Sequence, residues 1–307
     1  MRNNPKSAGN GSIKIIILLG VMTFVLLMLV SVGLKRSLQP NENQRVVNRK
    51  SHSPFDGNRA YANLEKLLSL GARNPDSVGL GQVQRYINKE VKAAGSDMDD
   101  ILFATVLPGT QSGVILITAK LDMATGQPGA GANSHAADSV VLLELVRSLE
   151  KNRLGKSILF LWITGTKALS AYWENAPAGY KEYGDIDAVI ALHGVGDCYL
   201  QLQSNRSAPE WLRGIMAETA QRIQLRKHYL NHSYENAALT DPYTVQGVPT
   251  LVLADRLYGG TIATHKQLWA TELDTAEQVC PESLQAVGDL LYHAVTTMDG
   301  YLGAKSP

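Results

Sequence analysis

"GVILITAKLDMATGQPGAGANSHAADSVVLLELV", residues 113–146, decides how the rest of the chain is read. Val114 to Ala119 is a short apolar run rich in β-branched residues, the mark of a buried strand. Gly126, Pro128, Gly129 and Gly131 then break the pattern into a loop. From Ser139 to Leu149 an apolar helix follows. Such a strand, loop and helix can carry metal ligands where the strand ends. Here Lys120 and Ser134 stand where imidazole and acid ligands would be expected. The stretch is either a working active site or the shell of one.

Working outward, "SILFLWIT" (157–164), "IDAVIALHGVG" (186–196) and "GVPTLVLAD" (247–255) read as further buried strands, with "YLQLQS" (199–204) as a possible edge strand. Residues 56–70, about 82–94, 211–225 and 281–298 carry helical apolar spacing. Continuous apolar strands alternating with helices predict an α/β fold in three layers: a largely parallel, mixed central sheet flanked by helices. Sites in such sheets gather beyond the carboxyl ends of the strands. Lys120, Asp122, Thr166, Lys167 and His193 all fall there.

The chain has 307 residues and a formal net charge of +1. That balance gives no general pull toward nucleic acid. Residues 15–34, "IIILLGVMTFVLLMLVSVGL", carry no charge. A helix of that length, rising about 1.5 Å per residue, spans the roughly 30 Å hydrocarbon layer. A cleaved signal has a shorter apolar core of about 7–15 residues. The expected plan is therefore a tail (1–14), one transmembrane signal-anchor helix (15–34), a polar linker (35–54) and one domain (55–302). Cys198 and Cys280 form no zinc motif; they are free to pair or to stay as buried thiols. Asn10, Asn205 and Asn231 fit the glycosylation pattern, which recurs by chance. "GQPGAGAN" lacks the Gly-Lys-Ser/Thr ending of a phosphate loop, and no Gly-X-Ser-X-Gly elbow is present.

Taken in order, these segments resemble the zinc aminopeptidase and glutaminyl cyclase superfamily. Phe55 to Gly95, with the loop "GARNPDS", looks like its N-terminal helices. "GANSHAADSVVLLELVRSL" looks like its Gly-Ala-Asn-Asp loop and helix, and "FLWITGTKALSAYW" sits where Gly-Glu-Glu is usual. "LTDPYTVQGVPTLVLAD" is similar to "SDHxPF…GIP", and "WATELDT" to "WHTxxDT". The resemblance implies a zinc-exopeptidase-like fold and zinc as the family's metal. It also implies positions. The first His ligand falls at Lys120, the bridging Asp at Ser134, and the Glu-Glu pair of base and ligand at Thr166 and Lys167. A further Asp falls at His193 and the last His at Ala270. Asp122 keeps the Asp that orients the first His.

Zinc needs deprotonated His, Asp, Glu or Cys, normally three or four. Ser, Thr and Ala supply almost nothing, and an ammonium has no lone pair and repels the ion. Without the metal no water is activated, and without the Glu no base takes its proton. The expectation is a family member with a degenerate site, needing no cofactor, a pseudoenzyme that binds a peptide or protein partner in the old cleft. The alternative is a membrane-bound hydrolase of the aminopeptidase class with a site rebuilt from His135, Asp138, His193 and His265. Lys120 and Lys167 either take the place of the metals and pair with Asp122 or extend to solvent. For orientation, a bare count of flanking Lys and Arg keeps the domain in the cytoplasm. The short N-terminal tail and the secreted or lumenal habit of the resembled family favour the non-cytoplasmic side.

Overall fold

The computed structural model describes residues 21–30, 45–47, 50–99, 102–165, 169–174, 176, 178–230, 233–234, 240–245, 247–259 and 268–304. The chain divides into two compact units, 1–40 and 41–307. In the first, residues 21–30 are helical with exposed side chains, and the rest of the expected span 15–34 lies outside the described residues. Among the described residues no helix is long and apolar enough to cross a membrane.

The second unit is built on a six-stranded sheet. Its strands are β1 (Ala104–Leu107), β2 (Val114–Lys120), β3 (Ser157–Ile163), β4 (Ile186–His193), β5 (Leu202–Ser204) and β6 (Thr250–Asp255), in the order β1-β3-β2-β4-β6-β5. The inner four are parallel, while β1 and β5 close the edges in antiparallel pairing. The sheet is thus mixed and largely parallel. β1, which the sequence pattern did not suggest, pairs Ala104 with Leu161 and Leu107 with Ile158.

The helices are α1 (Gly57–Ser69), α2 (Val78–Ala93), α3 (Ala137–Leu149), α4 (Leu169–Glu174), α5 (Ala178–Lys181), α6 (Glu210–Arg222) and α7 (Pro281–Gly303). Asp56 caps α1 through Arg59 N–H, and Ser77 caps α2 through Leu80 N–H, which starts α2 earlier than its apolar spacing alone predicts. β2 alternates between two apolar clusters. Ile115, Ile117 and Ala119 join the face covered by α1, α2, α3, α6 and α7, while Val114 and Leu116 join the face under α4 and α5. Both faces are covered, and that explains the unbroken apolar strands.

Part of the polar stretch expected as linker lies against this unit. Val46 is buried and donates its N–H to the Cys198 carbonyl at 3.0 Å, and Ser53 Oγ donates to Asp289 at 2.7 Å. Cys198 and Cys280 form a disulfide across a separation of 82 residues, with Cα atoms 4.8 Å apart. Both sulfurs belong to buried residues, so the fold resolves the choice that spacing left open. Asn205 is also buried, its amide donating to Ser207 Oγ and the Thr250 carbonyl. In the folded chain it is no glycan acceptor.

Candidate functional site

Parallel strands bring their carboxyl ends to one edge, and the predicted positions meet there. β2 pairs with β4 up to Ala119↔Leu192, which sets Lys120 and His193 side by side at adjacent strand ends. Past β2, the chain passes Asp122 and enters the glycine loop. The loop closes in a π-helical turn, Ala132–Ala136, that runs directly into α3. Single π turns of this kind recur at functional sites. Gly131, at φ 61°, starts the turn, and a Cβ there would lie 2.9 Å from Met123 Sδ and 3.1 Å from an Arg73 guanidinium nitrogen. Only glycine meets both the left-handed backbone and the close approach.

Arg73, from the loop between α1 and α2, is fully buried beneath this turn. It donates to the carbonyls of Leu121, Ala130 and Gly131. Burial pushes its pKa down to about 10, opposed by Asp274 and Asp122; at neutral pH it remains a cation. Asp274 braces the turn from the other side. It accepts from Asn133 N–H at 2.8 Å, Ser134 N–H at 3.3 Å and Tyr258 O–H at 2.6 Å, and also from the Ser134 hydroxyl.

The positions that the family resemblance singles out have the following partners. The Lys120 ammonium stands 4.0 Å from Asp122 Oδ1, with the lysine side chain 31% exposed and the aspartate side chain 2%. Asp122 Oδ2 accepts from Gly165 N–H at 2.9 Å, whereas Oδ1 has no hydrogen-bond partner among the described residues. Burial raises the Asp122 pKa, while the Gly165 amide and Lys120 oppose that rise. His193, half-buried, stacks on Trp269 with ring centres 4.5 Å apart and planes at 11°. Trp269 meets Tyr258 edge-on at 5.6 Å. Its ring also lies where a Cβ on Gly194 would fall, 2.4 Å away. Ala270 is exposed and left-handed, at φ 54°. Thr166, Lys167 and His265 lie outside the described residues.

The groups considered for a rebuilt site have structural partners. Asp138 is buried, with one oxygen accepting from Gly194 N–H at 2.9 Å and the other from Val195 N–H at 3.0 Å. Burial pushes it up to about 8 against those two bonds. Asn133 Oδ1 takes the next amide, Gly196 N–H, at 2.7 Å. The two side chains clamp the turn after β4 onto the start of α3. His135 is buried with Nδ1 on the Ser134 carbonyl, and burial pushes it down to about 4. Among the described residues no three His, Cys, Asp or Glu side chains are placed to hold a metal. As a donor set for zinc, an ammonium, a hydroxyl already given to Asp274 and a methyl group do not fit.

Sequence patterns had drawn attention to the replaced ligands but not to the braces. Arg73, Tyr258 and Asp274 sit in or near quoted segments. Nothing local marks Arg73 or Asp274, whose partners include backbone groups from about 50 to 140 residues away, or Tyr258, whose hydroxyl donates to the Asp274 carboxylate.

Comparison with known proteins follows this geometry. The profile described as "Peptidase family M28" matches residues 102–295. No curated protein matches the chain. Among solved structures, an Acidobacteriales bacterium glutaminyl cyclase is 20% identical, covering 82% of this chain and 97% of its own, with a TM-score of 0.67. A Bacteroides thetaiotaomicron glutaminyl cyclase bound to N-acetylhistamine is 16% identical over 80% and 99%, with a TM-score of 0.67. A Zn-dependent exopeptidase from Parabacteroides distasonis is 16% identical over 79% and 98%, with a TM-score of 0.61. At these identities the likeness is one of fold.

Proposed function

Because this chain belongs to peptidase family M28, we propose that it is a member that has given up the family's hydrolysis. In this reading it is held at a membrane by residues 15–34 and works by binding a peptide or protein partner in the former cleft. One observation carries the reading: at the position of the first metal ligand, the Lys120 ammonium faces buried Asp122 at 4.0 Å. On the family resemblance, the chain's own cation takes the place of a metal ligand. A metal ion there would be repelled by one full charge and would find no imidazole to bind it.

Ser134 supports the same reading. Its hydroxyl donates to Asp274. A carboxylate at 134 would meet that aspartate as a like charge with no metal between them. For binding, the rim keeps a half-buried indole and imidazole, Trp269 and His193, beside the Lys120 ammonium. Aromatic groups next to a cation suit a peptide that carries an apolar group and a carboxylate. For location, the Cys198–Cys280 disulfide supports a domain on the non-cytoplasmic side, because disulfides persist in oxidising compartments.

The test is elemental analysis of the purified full chain in detergent, together with turnover of aminoacyl and N-terminal glutaminyl substrates. The expected result is zinc well below one per chain and no chelator-sensitive release of product. Stoichiometric zinc with chelator-sensitive turnover would overturn the reading.

A further inference from the structure

Away from the residues of the candidate site, the chain builds a concavity. Residues 45–47, Lys50 and His52 face the end of α6 across a cavity of about 330 Å³. It is lined by Arg45, Val46, Lys50, His52, Lys227 and His228 among others. Among the described residues no acidic side chain lines it, and the nearby Asp289 carboxylate is taken up by the His52 N–H and the Ser53 hydroxyl. Arg45, Lys50 and Lys227 are exposed, and none makes an ion pair among the described residues. The wall is fixed rather than frayed, since Val46 is buried and bonded to Cys198, itself tied by the disulfide to the start of α7. His228 is buried, with Nδ1 on the Leu200 carbonyl.

We propose that this cavity binds a phosphate-bearing anion. Three cations around one concavity repel each other unless a multiply charged group lies between them. A phosphate monoester brings about −1.5 to −2 charges and three acceptor oxygens, and so matches both the charge and the donors of Arg and Lys. The C-terminal end of α6, whose capping residue Ile223 also lines the cavity, opposes an anion with roughly half a negative charge. Three full cations outweigh it. The volume is at the lower end of small-molecule sites, about 300–1,000 Å³, and suits a headgroup-sized ligand. Two sources offer such a group: a soluble phosphate ester or the headgroup of an anionic lipid. Only residues 35–44 separate the uncharged run 15–34 from Arg45, so a lipid source is within the reading of a membrane-held chain. The cavity itself requires neither the anchor nor the loss of hydrolysis.

The experiment uses the full chain in neutral detergent, titrated with glycerol 3-phosphate and followed by ³¹P line broadening. The comparison is Lys50→Glu/Lys227→Glu, two exposed positions whose change leaves the melting temperature in place. Binding by the parent chain, weakened about tenfold or more in the double variant, supports the proposal. Native mass spectrometry of both chains released from bilayers containing phosphatidic acid then separates the sources. Lipid retained by the parent and lost by the variant assigns a headgroup. Lipid retained by neither, with glycerol 3-phosphate still bound by the parent, assigns a soluble ester. If the parent binds no glycerol 3-phosphate and retains no phosphatidic acid, the proposal is wrong. It is equally wrong if the double variant binds as well as the parent. Arg45→Glu is the second variant, read the same way, if the double variant fails to fold.

Discussion

At Lys120 and Asp122 two magnitudes compete. An exposed ion pair contributes about 0–1 kcal/mol, and breaking a fully buried one costs about 3–5 kcal/mol. The aspartate here is buried, but the lysine is 31% exposed and the separation is 4.0 Å, at the outer limit of a pair. Lys120→Met should therefore cost about 1–2 kcal/mol in urea unfolding at neutral pH. Most of that loss should return when Asp122→Asn is added, since the stranded charge is then removed. A single variant as stable as the parent, or a double variant no better than the single, would show that Lys120 simply extends to solvent. A second residue-scale expectation concerns pH. Asp138 is pushed up to about 8 in the folded chain, so between the unfolded value near 4 and about 8 the folded state holds the extra proton. Stability from this group falls as pH rises through that window. His135, pushed down to about 4, acts oppositely, adding stability as pH rises from about 4 to 6.5 and nothing further above. From pH 6.5 to 8 Asp138 by itself should lower the unfolding free energy by on the order of 1–2 kcal/mol, in the same direction as buried Asp255, whose carboxyl is also raised well above its ordinary range. In Asp138→Asn that slope should flatten. A parent chain equally stable at both pH values would refute the assignment.

At the scale of elements, the disulfide and the π turn hold the site's two walls. Cys198–Cys280 ties the loop after β4 to the first residue before α7, closing a separation of 82 residues. In the chain-entropy picture a loop of that length contributes about 4.5 kcal/mol. Cys198→Ala/Cys280→Ala should lower the melting temperature by roughly 10 °C for a unit of this size, and the unreduced, denatured parent should react with no thiol reagent. Two titratable thiols in that sample would show that the bridge is not formed. Legibility also varied by element. β2, β3, β4 and β6 could be read because burial on both faces writes itself as unbroken apolar runs. β1 could not, because "ATVL" is four residues long and is a strand only through its pairing with β3. The edge strand read over 199–204 shortens to Leu202–Ser204, the part that reaches β6. In the site, the residue types at Lys120, Ser134 and Ala270, unsuited to binding zinc, were visible in the sequence. Arg73 and Asp274 were not visible as braces, since their partners are backbone groups brought close only by folding.

For the whole molecule, the proposed anchoring by residues 15–34 carries an expectation about the side of the membrane on which residues 41–307 fold. Positive charges on both flanks of residues 15–34 make the local count a poor guide. The disulfide shifts the balance toward an oxidising compartment. In sealed vesicles the unit should be protected from protease added on the cytoplasmic side. Digestion there would place it in the cytoplasm and would leave the bridge without an oxidising environment. What the sequence by itself determined was the layered α/β frame, the uncharged run near the N-terminus and the residue types Lys120, Ser134 and Ala270 at positions that the family resemblance singles out, because each is a property of residue type and spacing. Only the tertiary structure decided the pairing of Cys198 with Cys280, the docking of Val46, the facing of Lys120 and Asp122 and the grouping of three cations around one cavity. Lys120 and Asp122 are neighbours in the chain, and the surrounding fold sets how their side chains face. The others depend on groups far apart in the chain meeting within a few ångströms, and spacing along a sequence carries no record of that distance.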